Sequence, residues 1–114
     1  MTDVDVLFSG VPVSSFEAAV EWYGQLFGRS CDVVVHESEV MWRLAEAAWL
    51  YLVEDRERAG HTLVTLCVAD LDQALDELMS RGVECGAVES VGEAGRKATM
   101  VDGDGNSISF IEVH

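Results

Sequence analysis

The side chains best suited to redox or metal chemistry are few and widely spaced in this sequence. It has three cysteines, Cys31, Cys67 and Cys85, and no two of them form a Cys-x-x-Cys pair. An odd number of thiols at such spacings predicts neither a disulfide framework nor a zinc knuckle. We therefore expect three buried thiols in a reducing compartment.

Nucleophilic catalysis has no recognisable motif here. None of the serines lies in a Gly-x-Ser-x-Gly elbow. His61 and Cys67 are six residues apart, which is ~20 Å along a strand and too far for the imidazole to activate the thiol. Glu54 and Glu112 each end a predicted strand, where we expect solvated carboxylates rather than a general acid and base.

An acidic turn near the C-terminus comes closest to a metal motif. Asp102, Asp104 and Asn106 resemble the opening of a calcium loop, but Ser107 stands where that loop needs glycine, and no glutamate follows at the required spacing. The sequence predicts a turn here rather than a cation site.

The secondary-structure elements that would position these residues form an internal repeat along the chain. A strand, Val4 to Val13, precedes a helix that opens with a capping box of Ser14 and Glu17 and ends at Gly28. A second strand, Leu63 to Val68, lies 55 residues after its counterpart.

The second helix opens at Asp70, with Gln73 in the box position, and ends at Gly82. Three short strands are predicted after each helix: Cys31 to His36, Val40 to Glu46 and Ala48 to Glu54, then Val83 to Ser90, Lys97 to Val101 and Ser107 to His114. The last strands of the two halves align with an offset of 58 residues.

Each half is therefore a βαβββ module within a single domain, residues 1–114. Module one covers about residues 1–54 and module two about 61–114, with residues 55–60 as the connector. One helix can cover only one face of its sheet, so the other face must be closed by the other module or by a second chain. We predict an α+β fold with a curved mixed sheet around a cleft and the helices on the outer face.

Three motifs resemble those of the vicinal oxygen chelate superfamily, which includes glyoxalase I, bleomycin-resistance proteins and extradiol dioxygenases. They are Trp22-Tyr23 followed by Leu26-Phe27-Gly28, Val68-Ala69-Asp70-Leu71 at the start of the second helix, and Asp102-Gly103-Asp104-Gly105-Asn106 before the last strand. Gly103 stands where the family usually has proline. We expect this change to make the turn less rigid without altering the chemistry of the site.

The resemblance implies a divalent metal held by one ligand on each of four strands. The family's ligand positions map onto Phe8, Tyr51, Leu63 and Ser109. Phe and Leu offer no lone pair, and neutral Tyr and Ser offer weak ones, so we expect no metal cofactor. His61, two residues before Leu63 and on the same strand face, leaves a displaced metal site as the alternative.

Without a metal, the cleft itself becomes the candidate site, and its expected lining is aromatic with scattered hydroxyls. The predicted cleft residues are Phe8, Trp42, Trp49, Tyr51, His61, Leu63, Thr65, Ser107 and Ser109. Alternation adds Cys67 and Ile111. The competing interpretation is that most of these side chains fill the core, as we expect of Trp22 and Tyr23 on the first helix.

The charge of the chain limits its partners. Twenty-one acidic and seven basic residues give a formal net charge of −14, and Lys97 is the only lysine. Neither nucleic acid nor an anionic membrane is expected, because both require Lys and Arg. The longest apolar run, Ala47 to Val53, is too short to span a bilayer, and the chain has no basic signal-like start. We expect a cytoplasmic protein.

Two classes of function compete. The first is a metal-free protein that binds or sequesters a small molecule, as a homodimer with aromatic clefts and an acidic surface that attracts a cationic aromatic ligand. The second is a glyoxalase-like lyase or isomerase, or a dioxygenase, with a displaced metal or none. The residues at the four ligand positions favour the first class.

Overall fold

The computed structural model describes residues 2–114; Met1, the first residue of the predicted domain, lies outside them. Module one consists of β1 (Leu7–Val13), α1 (Phe16–Phe27), β2 (Val33–His36), β3 (Glu39–Ala45) and β4 (Ala48–Glu54). Module two consists of β5 (Leu63–Cys67), α2 (Leu71–Ser80), β6 (Glu89–Ser90), a 3-10 turn (Gly92–Ala94), β7 (Gly95–Val101) and β8 (Ser107–Val113). The two βαβββ modules of the predicted α+β fold are confirmed.

Each module builds one four-stranded mixed sheet. The strand orders are β1-β4-β3-β2 and β5-β8-β7-β6. The β1–β4 and β5–β8 pairs are parallel and the other pairs are antiparallel. The parallel pairs follow from the helical crossover that each module contains. β1 and β5, the first strands of the modules, are therefore edge strands of their sheets.

The strand register reproduces the internal repeat. Gly10 pairs with Tyr51 in module one, and Thr65 pairs with Ser109 in module two. These four positions are related by the offsets of 55 and 58 that the sequence shows. Equivalent positions in the two halves thus occupy equivalent places in the two sheets.

The apolar core lies on the helix-covered face of each sheet. α1 packs against β4 and α2 against β8. Alternate strand residues such as Val11, Leu50 and Ile108 are fully buried against the helices. Tyr23 belongs to this core and Trp22 packs against it, as expected of both residues.

The helix ends agree with the sequence at three of four points. Gly28 ends α1 in the left-handed region with φ 74°, and Gly82 follows α2 with φ 83°. Asp70 Oδ1 accepts the Gln73 N–H at 3.0 Å and caps α2. The predicted capping box at α1 is wrong: the N-cap is Ser15, which makes no side-chain capping bond.

Three predicted strands are clearly shorter than expected. β1 begins at Leu7 rather than Val4, and β2 begins at Val33 rather than Cys31. The segment predicted as a strand over Val83 to Ser90 pairs regularly only at Glu89 and Ser90. Before that it touches β7 through one bond from the Gly86 N–H to the Thr99 carbonyl, at 2.9 Å. In the described chain, neither helix has the length and apolar character needed to cross a membrane.

Candidate ligand-binding site

The face of module one that α1 leaves uncovered is aromatic. Phe8 on β1 and Trp49 on β4 are direct cross-strand partners. Their rings stack with centroids 6.2 Å apart and planes 21° apart. Phe8 is 52% exposed and Trp49 is half-buried, so the pair offers a flat apolar surface to a ligand.

Tyr51 extends this surface because its ring lies over Gly10. A Cβ at residue 10 would stand 2.4 Å from the Cζ and hydroxyl oxygen of Tyr51. Only glycine leaves room for that ring position. We call the side chains of Phe8, Trp49 and Tyr51 the aromatic face.

The corresponding face of module two is rich in hydroxyl groups. Leu63 on β5 pairs with Ser107 on β8, and Thr65 pairs with Ser109. Leu63 is 85% exposed, whereas Ser109 is only 7% exposed. Side chains on this face therefore combine one protruding apolar group with hydroxyls that range from the exposed Thr65 to the recessed Ser109.

An apolar cavity of about 230 Å³ is lined by residues of both modules. Its walls include three predicted site residues, Trp49, Leu63 and Thr65. The remaining lining consists of Leu7, Ser9, Leu44, Ala48, Leu50, Val64 and Leu66. β1, β3 and β4 of module one and β5 of module two all contribute to its walls. Larger depressions lie elsewhere; one of about 750 Å³ beside the start of α1 contains none of the predicted residues.

Trp42 lies on the helix-covered face of its sheet, so its predicted place in the cleft is wrong. It is fully buried in the core and donates its indole N–H to the Arg29 carbonyl at 3.0 Å. On β3 it shares the core face with Val40, while Met41 and Arg43 point to the other side. His61 is exposed and precedes β5.

The thiols differ from expectation at one position. All three cysteines are free, and Cys31 and Cys85 are half-buried. Burial raises the pKa of the Cys85 thiol above its usual value. Cys67 is exposed because it lies on the uncovered face of β5, so the prediction of three buried thiols is wrong there.

The donor chemistry at the family's ligand positions does not suit a divalent metal. Phe8 and Leu63 carry no donor atom, and Tyr51 and Ser109 offer neutral hydroxyls. Among residues 2–114, no group of three or more His, Cys, Asp or Glu side chains is arranged to hold a metal ion. No chemical step through a metal follows from these side chains.

Glu112 serves the fold, because its carboxylate accepts the Leu71 N–H at the start of α2 at 2.8 Å. Arg96 lies 3.4 Å from both Glu112 and Asp72. Asp72, and then Glu112, raise the pKa of this guanidinium. This group of charges anchors α2 to its sheet, so the expectation of a solvated carboxylate is wrong for Glu112.

Two residues of the module-two face are absent from the predicted cleft lining. Thr99 on β7 is the direct partner of Ser109, and Lys97 is the partner of Ile111. Both are half-buried. The signal was available, since period-two alternation along β7 places Lys97, Thr99 and Val101 on the face opposite the buried Ala98 and Met100.

Two βαβββ modules with open sheet faces define a protein of the vicinal oxygen chelate type. The chain belongs to the Glyoxalase/Bleomycin resistance protein/Dioxygenase superfamily, whose sequence model matches residues 6–110. No curated protein matches the sequence.

Solved structures resemble the chain over nearly its whole length. A glyoxalase/bleomycin resistance protein from Catenulispora acidiphila shares 44% identity with a TM-score of 0.90, over 96% of this chain and 98% of that one. TnmS3, an antibiotic-binding protein from a Streptomyces species, shares 25% identity with a TM-score of 0.76, over 100% and 98%. A bleomycin-binding protein complexed with bleomycin shares the fold, at 18% identity and a TM-score of 0.79, over 97% and 100%.

Proposed function

We propose that this protein binds or sequesters a small planar molecule between the aromatic face of module one and the hydroxyl-rich face of module two, without a metal. The observation that carries the proposal is the exposed Phe8–Trp49 stack with Tyr51 beside it. Stacking on such a surface favours flat, partly apolar ligands. The antibiotic-binding function of TnmS3, at 25% identity, supports a function in binding a small molecule.

The absence of a resident metal is part of the proposal. It is supported by the side chains at Phe8, Tyr51, Leu63 and Ser109, two of which have no donor atom. In place of metal coordination, these positions offer ring faces and hydroxyl hydrogen bonds. Such groups can bind a ligand by themselves, whereas the family's chemistry needs a metal. We therefore propose binding rather than catalysis.

The net charge of −14 adds a preference for cationic aromatic ligands. A negative field raises the encounter rate with a cation, and salt screens that effect over ~8 Å at physiological ionic strength. We therefore expect association to slow as salt is added, with a smaller effect on dissociation.

A homodimer would complete the cleft. Leu7, Phe8 and Leu63 are exposed on the edge strands β1 and β5, and Leu63 is 85% exposed. A second copy of the chain would cover this apolar surface and bring an aromatic face against a hydroxyl-rich one. The free thiols at Cys31, Cys67 and Cys85 support a reducing location, which we take to be the cytoplasm.

The binding proposal is tested with 9-aminoacridine, a planar cation, and tetraethylammonium, a cation without rings. We expect 9-aminoacridine to raise the melting temperature and quench tryptophan fluorescence, and tetraethylammonium to do neither. Trp49→Ala should weaken 9-aminoacridine binding about tenfold. Trp22→Ala is the matched control and should leave the affinity unchanged, because Trp22 lies on α1 and packs against the core beside Tyr23.

Equal weakening by both tryptophan variants would contradict the stacking surface. Metal analysis of the purified protein should find no stoichiometric zinc, nickel, iron or manganese. One tightly held metal per cleft, lost in His61→Ala, would instead favour the enzyme class. Sedimentation should give a dimer that Leu63→Glu dissociates, and a monomeric wild type would overturn the dimer.

A further inference from the structure

A row of three hydroxyl side chains crosses the middle of the module-two sheet. Thr65 on β5, Ser109 on β8 and Thr99 on β7 are direct cross-strand partners and point to the same face. The Oγ atoms of Thr99 and Ser109 are 2.7 Å apart. We call these three residues the hydroxyl row.

The neighbouring rows on the same face contain few such groups. Toward one end of the sheet lies the row of Leu63, Ser107 and Val101, and toward the other lies the row of Cys67, Ile111 and Lys97. The paired hydroxyls are therefore the polar centre of an otherwise mostly apolar surface. Lys97, two residues from Thr99 on β7 and on the same face, adds a positive charge to this face.

The bond between Thr99 and Ser109 uses only one of their two hydroxyl hydrogens. The second hydrogen is left to donate elsewhere, and Thr65 contributes a further exposed hydroxyl. Hydroxyl donors on a face that also carries a cation suit a ligand oxygen that accepts hydrogen bonds, such as a carbonyl or a phenolic oxygen.

We propose that the hydroxyl row sets the specificity of the cleft by binding a carbonyl or phenolic oxygen on the edge of the planar ligand. The inference rests on the proposed function, since the rings of that ligand stack on the aromatic face. Stacking holds any flat molecule of suitable size, whereas the hydroxyl row discriminates among them by oxygen content.

The test compares acridone with acridine, which have the same three-ring frame with and without a carbonyl oxygen. Wild-type protein should bind acridone more tightly at pH 8. Thr99→Val keeps the branched shape and removes the hydroxyl, and it should weaken acridone binding about three- to tenfold, as expected for one lost hydrogen bond. Acridine binding should change less than twofold. Ser109→Ala is a second variant with the same expectation.

Thr62→Val is the matched control and should affect neither ligand, because Thr62 precedes β5 and does not belong to the row. If Thr99→Val and Ser109→Ala leave acridone binding unchanged, or weaken both ligands equally, the specificity role is wrong. In that case Trp49→Ala still weakens both ligands if the proposed cleft is right. If wild type binds neither compound, the proposed cleft fails and the specificity role with it.

Discussion

The hydroxyl of Tyr23, on α1 of module one, donates a hydrogen bond of 2.8 Å to Oδ2 of Asp102 in module two. Oδ2 also accepts from Nδ2 of Asn106 at 2.9 Å. Oδ1 accepts the backbone N–H groups of Asp104 and Asn106, both at 2.9 Å. This carboxylate, only 7% exposed, is thus satisfied by four donors, one of which crosses between the modules.

Further bonds make the turn before β8 the polar junction of the two modules. Asn106 Nδ2 donates to the Pro12 carbonyl at 2.9 Å, and its Oδ1 accepts the N–H groups of Gly60 and Thr62. Ser14 donates its N–H and its hydroxyl to the Asp104 carboxylate. The residues that resemble a calcium loop therefore bind protein donors.

Replacing Tyr23 with Phe should lower the free energy of unfolding by about 2 kcal/mol, because a buried charged acceptor loses one of its donors. Chemical denaturation measures the change. Tyr51→Phe is the natural control, since these are the only two tyrosines and the Tyr51 ring faces the open side of the sheet. It should shift stability by less than about 0.5 kcal/mol. Equal effects of the two variants would refute the junction.

Stability should also decline at alkaline pH through the same bond. Burial first, and then the charge of Asp102, raise the pKa of Tyr23 well above its ordinary value of 10.0. The folded state therefore keeps a proton that the unfolded state releases above pH 10, so the stabilisation is complete below pH 10 and is lost as pH rises beyond it. Unfolding free energies measured from pH 8 to 11 should fall less steeply in Tyr23→Phe. Parallel curves would contradict this assignment.

The fold could be predicted from the internal repeat because equivalent residues of the two modules take equivalent places in the strand pairings. The offsets that relate Phe8 to Leu63 and Tyr51 to Ser109 also relate the observed strand registers. The exception is Trp42: its neighbour Arg43 carries a charge that must face solvent, and alternation along β3 then assigns Trp42 to the core face.

The junction could not be predicted from local patterns. Ser14 and Asp104 are 90 residues apart, and nothing in either neighbourhood indicates the bond between them. A serine three residues before a glutamate is typical of a capping box. Here the tertiary contact with Asp104 takes the side chain instead, and the helix begins one residue later than the box implies.

Gly10→Ala tests the packing of the aromatic face. The added methyl group would overlap the Tyr51 ring, which can move because the overlap involves the end of its side chain. We expect a loss of about 1 kcal/mol in unfolding free energy and weaker binding of 9-aminoacridine. Gly103→Ala is the control, since a Cβ there meets no atom within 4 Å. Unchanged binding in Gly10→Ala would show that the ring position is unimportant.

Arg81 provides the last prediction, because it caps a helix in the other module. Its guanidinium, just after α2, donates from Nε to the Gln25 carbonyl and from Nη2 to the Leu26 carbonyl at 3.1 Å, at the end of α1. α1 has no basic residue in its own last turn, so this charge supplies the favourable interaction with the helix dipole. Arg81→Ala should lower the free energy of unfolding by about 1–2 kcal/mol, and Arg81→Lys should restore part of it.

Arg58→Ala is the control for this prediction. It removes a more exposed arginine paired with Asp55 and should have little effect in the same denaturation experiment. If Arg81→Ala is as stable as Arg58→Ala, the contact does not hold the modules together.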